Sequence, residues 1–276
     1  MSNGKGSPLG YTRHYAWYAG RDFVDMAADY PERRPVRIPA HRQDVILDLN
    51  RTALMIIDLQ NDFTTKGGWV DEAVHGDPTP NQAGIPHLNK LTPLLRELDV
   101  PVIWVNWGNR PDLANMYPNQ IHLYMRHGDA TAYDENGKPI RGPGLGEELS
   151  NGSHVLEKDS WAAAIHEDLI QDKQKDIYVD KYRISGFWDT PLDSILKNLG
   201  IRTILFAGCN TDQCVLMTLT DANFLGYGCV MLKDCCTTTS PDFCTQASHW
   251  EVEQCYGWTT DSTHVIDAIH QQIQGK

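Results

Sequence analysis

The sequence is short of long apolar runs, of basic residues and of spaced cysteine pairs. It has no apolar run near the ~20 residues a bilayer-spanning helix needs, and its longer runs, such as 53–57, are strand-length. No apolar stretch follows Lys5 and Arg13, so the N-terminus is not read as a secretory signal. Basic residues are scarce, 24 Lys and Arg against 36 Asp and Glu, and the net charge of −12 argues against nucleic acid or anionic membrane as a partner. There is no CxxC pair, which removes the usual signature of a zinc site or a redox dithiol. The 7 cysteines are odd in number and confined to 209–255. A disulfide scaffold spreads pairs along the chain, so these read as reduced thiols of a cytoplasmic protein. Internal repeats and low-complexity tracts are absent as well.

What remains is a chain of 276 residues, 41% of them hydrophobic, enough for a sizeable core. Residues 1–46 are rich in Tyr, Arg and Pro without a sustained period, and read as an irregular arm packed on the body or on a neighbouring subunit. Residues 47–276 form one domain. Strand-like runs at 53–59, 100–107, 176–181, 203–209 and 229–234 alternate with helix-length segments at 82–98, 161–170, 191–199 and 212–225, and a further pair follows at 243–253 and 263–273. Thr190 suits an N-cap, Pro191 a first helical position, and Gly200 and Gly226 helix stops. Apolar strands alternating with helices predict a three-layer α/β/α domain around a mostly parallel sheet. Its ligand site should lie beyond the carboxyl ends of the strands. The polar, glycine-rich stretch 116–151 is an insert that should cover that site or reach a neighbouring subunit.

Three strand ends carry side chains with chemical potential. The first delivers Asp58, the third Lys181, and the fourth runs through Cys209-Asn210 to Cys214 in the first turn of the next helix. Helix-start N–H groups and a nearby lysine both favour thiolate, the nucleophilic form. Asp58 is placed to take the thiol proton and return it to a leaving amine. Taken singly, each residue has a plainer reading: a small core cysteine, a capping aspartate, a solvated lysine. Their coincidence on the predicted ligand side is the evidence, and it leaves the reaction open.

The segments ALMIIDLQNDF (53–63), KYRISGFWDTPLDSILKNLGIR (181–202) and FAGCNTDQCVLMTLTDANFLGYGCVMLKDC (206–235) resemble the isochorismatase-like cysteine hydrolases. The resemblance implies Asp58 as general base and acid, Lys181 as the thiolate-stabilising lysine and Cys214 as the nucleophile. It also implies a non-proline cis peptide at Cys209–Asn210 and an oxyanion hole from the backbone N–H groups of Asn210 and Cys214. The stretch 182–187, the DTPLDSIL that follows and the ending 256–261 look most like ureidoacrylate amidohydrolases of pyrimidine degradation, with biuret hydrolases as near relatives. Nicotinamidases of the superfamily carry a DxH metal motif where this chain has Asn106-Trp107-Gly108-Asn109-Arg110, so no metal and no cofactor is expected.

Phe63, Asn106, Trp107, Tyr182 and Arg183 are the candidate substrate contacts, Arg183 as the partner of a substrate carboxylate. The function implied is hydrolysis of a C–N bond in a linear ureide or carbamoyl amide through a thioester, with release of ammonia. Biuret or a xenobiotic urea is the alternative substrate, and a non-catalytic binding protein the alternative class. The partners expected are a small-molecule substrate and further copies of the chain, as a dimer or tetramer.

Overall fold

A computed structural model describes residues 7–10, 16–26, 32–125, 135 and 142–274. Much of the insert between Met125 and Gly142 therefore lies outside the described residues, as do Lys5 and Arg13. Three short strands, β1 (Ser7–Leu9), β2 (Trp17–Ala19) and β3 (Val24–Asp25), form a small antiparallel sheet. A hairpin follows, β4 (Pro35–Ile38) paired with β5 (Val45–Asp48). The N-terminal region is thus more regular than its composition predicts. Its hairpin is part of the body, because Val36, Ile38 and Leu47 are buried in the main core and Thr260 donates to the Pro39 carbonyl.

The body is built on β6 (Thr52–Ile57), β7 (Val102–Trp107), β8 (Ile177–Lys181), β9 (Thr203–Cys209), β10 (Gly228–Thr237) and β11 (Trp258–Thr260). These make a 6-stranded sheet in the order β11-β10-β9-β6-β7-β8, every pair parallel. The three-layer reading is borne out, and β11 is a strand the apolar runs do not reveal. The helices are α1 (Asn61–Thr64), α2 (Trp69–Glu72), α3 (Ile85–Glu97), α4 (Pro118–Tyr124), α5 (Leu192–Asn198), α6 (Leu216–Phe224), α7 (Asp242–Glu251) and α8 (Ser262–Gln274). Alternate residues of β6 enter opposite cores. Leu54 and Ile56 pack with residues of α3 and α8, while Ala53, Met55 and Ile57 pack with residues of α5 and α6. A strand buried on both faces needs this continuous apolar run.

The helix predicted at 161–170 is not formed; the segment is a series of turns. Its backbone groups are used elsewhere: Asn61 and Asp62 donate to the carbonyls of Ala164 and Ala162, and His166 donates to that of Leu59. A segment bonded to a neighbouring loop cannot also close i→i−4 bonds. The helix predicted from 212 begins with one wide turn, Thr211–Val215, in which Val215 N–H reaches the Asn210 carbonyl at 3.2 Å.

The chain moves outward from β6 through β7 to β8, then returns to β9 on the other side of β6. The switch point between β6 and β9 is where such sheets open a crevice beyond the strand ends. Gly208 lets the two ends meet closely. At φ +124° it occupies backbone space few other residues reach, and a Cβ there would lie 2.0 Å from the Ile57 carbonyl oxygen.

Candidate active site

The crevice gathers side chains from three strand ends. Asp58 follows β6 with φ +53°, and the tight turn after it is closed by Gln60 N–H on the Asp58 carbonyl at 2.8 Å. Lys181 closes β8, and Cys214 sits in the wide turn after β9. Asp58 and Lys181 are 0% exposed and Cys214 5%. Lys181 Nζ lies 2.7 Å from Asp58 Oδ2 and donates to Cys214 Sγ at 3.5 Å. The ammonium also donates to the Arg183 carbonyl at 3.1 Å and rests 4.4 Å from the centre of the Trp107 ring.

A buried ion pair survives only when its remaining valences are met. Asp58 Oδ1 accepts from the Trp107 main-chain N–H at 3.0 Å, and Cys209 Sγ donates to the Asp58 carbonyl at 3.0 Å. Burial raises the Asp58 carboxyl above its usual range, although Lys181, Cys214 and the Trp107 N–H pull it down. Burial works to lower Lys181, but the charges of Asp58 and Cys214 outweigh it and leave the lysine raised. The Cys214 thiol is pushed up by burial and by Asp58, more than Lys181 pulls it down. Burial thus works against the thiolate that a helix start and a nearby lysine favour, because the loss of solvent outweighs the cation.

The sulfur opens on a cavity of about 140 Å³ lined by Phe63, Trp69, Tyr124, Asn210 and Gln213. Phe63 packs edge-on to Trp69, which leans on Tyr124 at 5.0 Å. Gln120 and Ile184 line both this cavity and an outer depression of about 630 Å³ that holds Arg183. The insert thus supplies part of the wall through α4. The Cys209–Asn210 peptide is cis. Asn210 anchors the turn: its carbonyl accepts from Gln213 and Val215, and its side chain accepts from Asn81 Nδ2 at 3.1 Å.

The other candidate residues are distributed unevenly. Phe63 is in the cavity wall. Trp107 is buried beneath Lys181 and is not among the residues lining the cavity. Asn106 points the opposite way, as strand alternation requires, into a separate depression with Lys158 and Asp180. Arg183 donates to the carbonyls of Asn115 and Tyr182, lies 3.1 Å from Asp189, and stacks on Tyr117 at 4.1 Å. The Tyr182 hydroxyl donates to the Asp189 carbonyl. Gln60 is absent from the sequence-derived set, yet it is buried and makes contacts on both sides of the site. Its place two residues after Asp58 was the only signal available. Among the described residues, no group of three or more His, Cys, Asp or Glu could hold a metal ion.

The model of the Isochorismatase domain matches residues 52–264 of the chain. The chain belongs to the isochorismatase family. As a member, it is similar to a protein of Rhizobium rhizogenes named ureidoacrylate amidohydrolase RutB, 33% identical over 89% of this chain and 96% of that one. A protein of the same name from Agrobacterium fabrum is 31% identical over 85% and 96%. A cysteine hydrolase from Pseudomonas syringae pv. phaseolicola 1448A shares the fold, with TM-score 0.65 over 88% of this chain and all of that one, at 21% identity.

Proposed function

We propose that this isochorismatase-family chain is a cysteine-dependent amidohydrolase of non-peptide C–N bonds, acting on a linear ureide or carbamoyl amide of the ureidoacrylate type. One observation carries the reading: Lys181 Nζ touches both Asp58, at 2.7 Å, and Cys214, at 3.5 Å, in a buried cluster whose sulfur opens on a small cavity. The two relatives named for ureidoacrylate, each matched over nearly its whole length, support the substrate class.

In this reading Asp58 accepts the Cys214 proton as sulfur attacks the carbamoyl carbon. The charge passing to sulfur is held by Lys181, and the oxyanion by the N–H groups of Asn210 and Cys214. The C–N bond breaks as Asp58 returns the proton to the departing amine. Water, deprotonated by Asp58, then attacks the S-carbamoyl thioester; the C–S bond breaks and the thiol is restored. The released carbamate falls apart to ammonia and carbon dioxide. A carbamoyl group suits a cavity of about 140 Å³, whereas a bulky acyl group does not. Phe63 packs on the flat ureide, and the far end of the substrate extends past Gln120 toward Arg183.

The test is ammonia release from ureidoacrylate, biuret, N-carbamoyl amino acids, nicotinamide and aryl ureas, with Cys214→Ala as control. Cys214-dependent release from a linear ureide is the expected result. Equal release by Cys214→Ala would overturn the proposal, and release from nicotinamide alone would overturn the substrate class.

A further inference from the structure

Trp107 and Lys181 are direct cross-strand partners at the ends of β7 and β8, so their side chains share one face of the sheet. Each is at most 1% exposed. The indole lies under the ammonium, 4.4 Å from Nζ to the ring centre. The main-chain N–H of the same residue is shared between Asp58 Oδ1 at 3.0 Å and Gln60 Oε1 at 2.8 Å. Gln60 Nε2 then donates to the Trp107 carbonyl at 2.7 Å and the Ala163 carbonyl at 2.6 Å, which fixes the peptide on both sides. One residue therefore touches both charged members of the cluster, and a buried carboxamide clamps that residue.

The indole itself makes an uneconomical choice. Among the described residues no hydrogen-bond partner serves Trp107 Nε1, although the atom is buried. A buried N–H without a partner is costly, and phenylalanine would avoid it. What tryptophan offers beyond phenylalanine at this place is the stronger negative face for a cation.

We infer that Trp107 is a positioning residue: its ring holds the Lys181 ammonium beside Cys214 during proton transfer, and its N–H orients Asp58. The inference rests on the reading of Asp58, Lys181 and Cys214 as the reacting groups. At rest the Asp58 carboxylate balances the ammonium. Once Asp58 has taken the thiol proton it is neutral, and the new thiolate, the Arg183 carbonyl at 3.1 Å and the indole are what remain beside Nζ. The ring thus matters more while charge is moving than before, and its loss lowers kcat rather than raising KM. Trp107 does not line the cavity and reaches its wall only through Tyr124, 5.2 Å away, so a change confined to the charge of its ring should leave substrate affinity in place.

The test is site-specific incorporation of fluorinated tryptophans at position 107, which weakens the ring's hold on a cation with almost no change of shape. With ureidoacrylate as substrate, kcat should fall stepwise with each fluorine, by about ten-fold across the series, while KM stays constant. Alkylation of Cys214 by iodoacetamide, followed on its own peptide, should slow in the same order. The same series at Trp104, whose Nε1 donates to Asp176 away from the cluster, should leave both rates unchanged. A flat kcat at position 107, or a trend in KM alone, overturns the inference while turnover still requires Cys214. Turnover that survives Cys214→Ala removes the underlying reading instead.

Discussion

A thiol as buried as Cys214 is a weak nucleophile until its proton has somewhere to go; Asp58, hydrogen-bonded to it, can take that proton, while the Lys181 ammonium can only hold the charge left on sulfur. Asp58 must be ionised to act as base. Because its carboxyl is raised, kcat/KM should fall on acidification at a pH above the ordinary aspartate value of 3.8. A pH–rate profile with no acid limb above that value would contradict the assignment. Asp58→Asn should lose about 10²–10⁴-fold in kcat. Lys181→Met should be inactive and also less stable, by about 3–5 kcal/mol, since it leaves the Asp58 charge buried and unpaired; urea unfolding reads this directly. At this scale the sequence was informative where a residue ends a strand. Asp58, Lys181 and Cys214 stand out there, and the structure gathers them. Asn106 and Trp107 are candidate substrate contacts because both end the second strand, but adjacent strand residues face opposite ways. Gln60 stayed hidden because its partners, Trp107 and Ala163, are 47 and 103 residues away.

At the scale of elements, the crevice depends on how closely β6 and β9 approach at their carboxyl ends. Gly208→Ala should cost about 3 kcal/mol or more and abolish activity, because the added Cβ would meet the Ile57 carbonyl at 2.0 Å in a left-handed backbone. An alanine variant with unchanged thermal midpoint would contradict this. Four of the apolar runs were legible as strands because burial on both faces forces continuous hydrophobicity, while β8, at one edge, shows the alternation of a half-buried strand. The other edge strand, β11, was not legible, since Trp258–Thr260 is three residues long and two of them are threonine. The helix expected at 161–170 shows the opposite failure. Its residues have helical spacing, but their backbone groups are committed to the loop after β6. That commitment is a tertiary fact with no local signature.

At the scale of the whole molecule, a second buried carboxyl couples stability to pH. Asp62 accepts from the N–H groups of Trp69 and Leu156, and burial lifts it from 3.8 to about 7. A carboxyl raised in the folded state binds its proton more tightly there than in the unfolded chain. Its contribution therefore favours folding at low pH and is lost as pH rises from about 4 to about 7. Asp62→Ala should be less stable at every pH, having left two N–H groups unpaired, but should lose this decline; urea midpoints from pH 4 to 8 measure both effects. No helix among the described residues is long and apolar enough to cross a membrane.

The central claim is that Cys214 carries the carbamoyl group between its two C–N and C–S bond changes. The most direct measurement is acid quenching of wild-type protein during turnover of ureidoacrylate, followed by peptide mass analysis. The account predicts one carbamoyl group on the peptide containing Cys214, absent from Cys214→Ala and from protein without substrate. Turnover with that peptide always unmodified, and undiminished in Cys214→Ala, would contradict it.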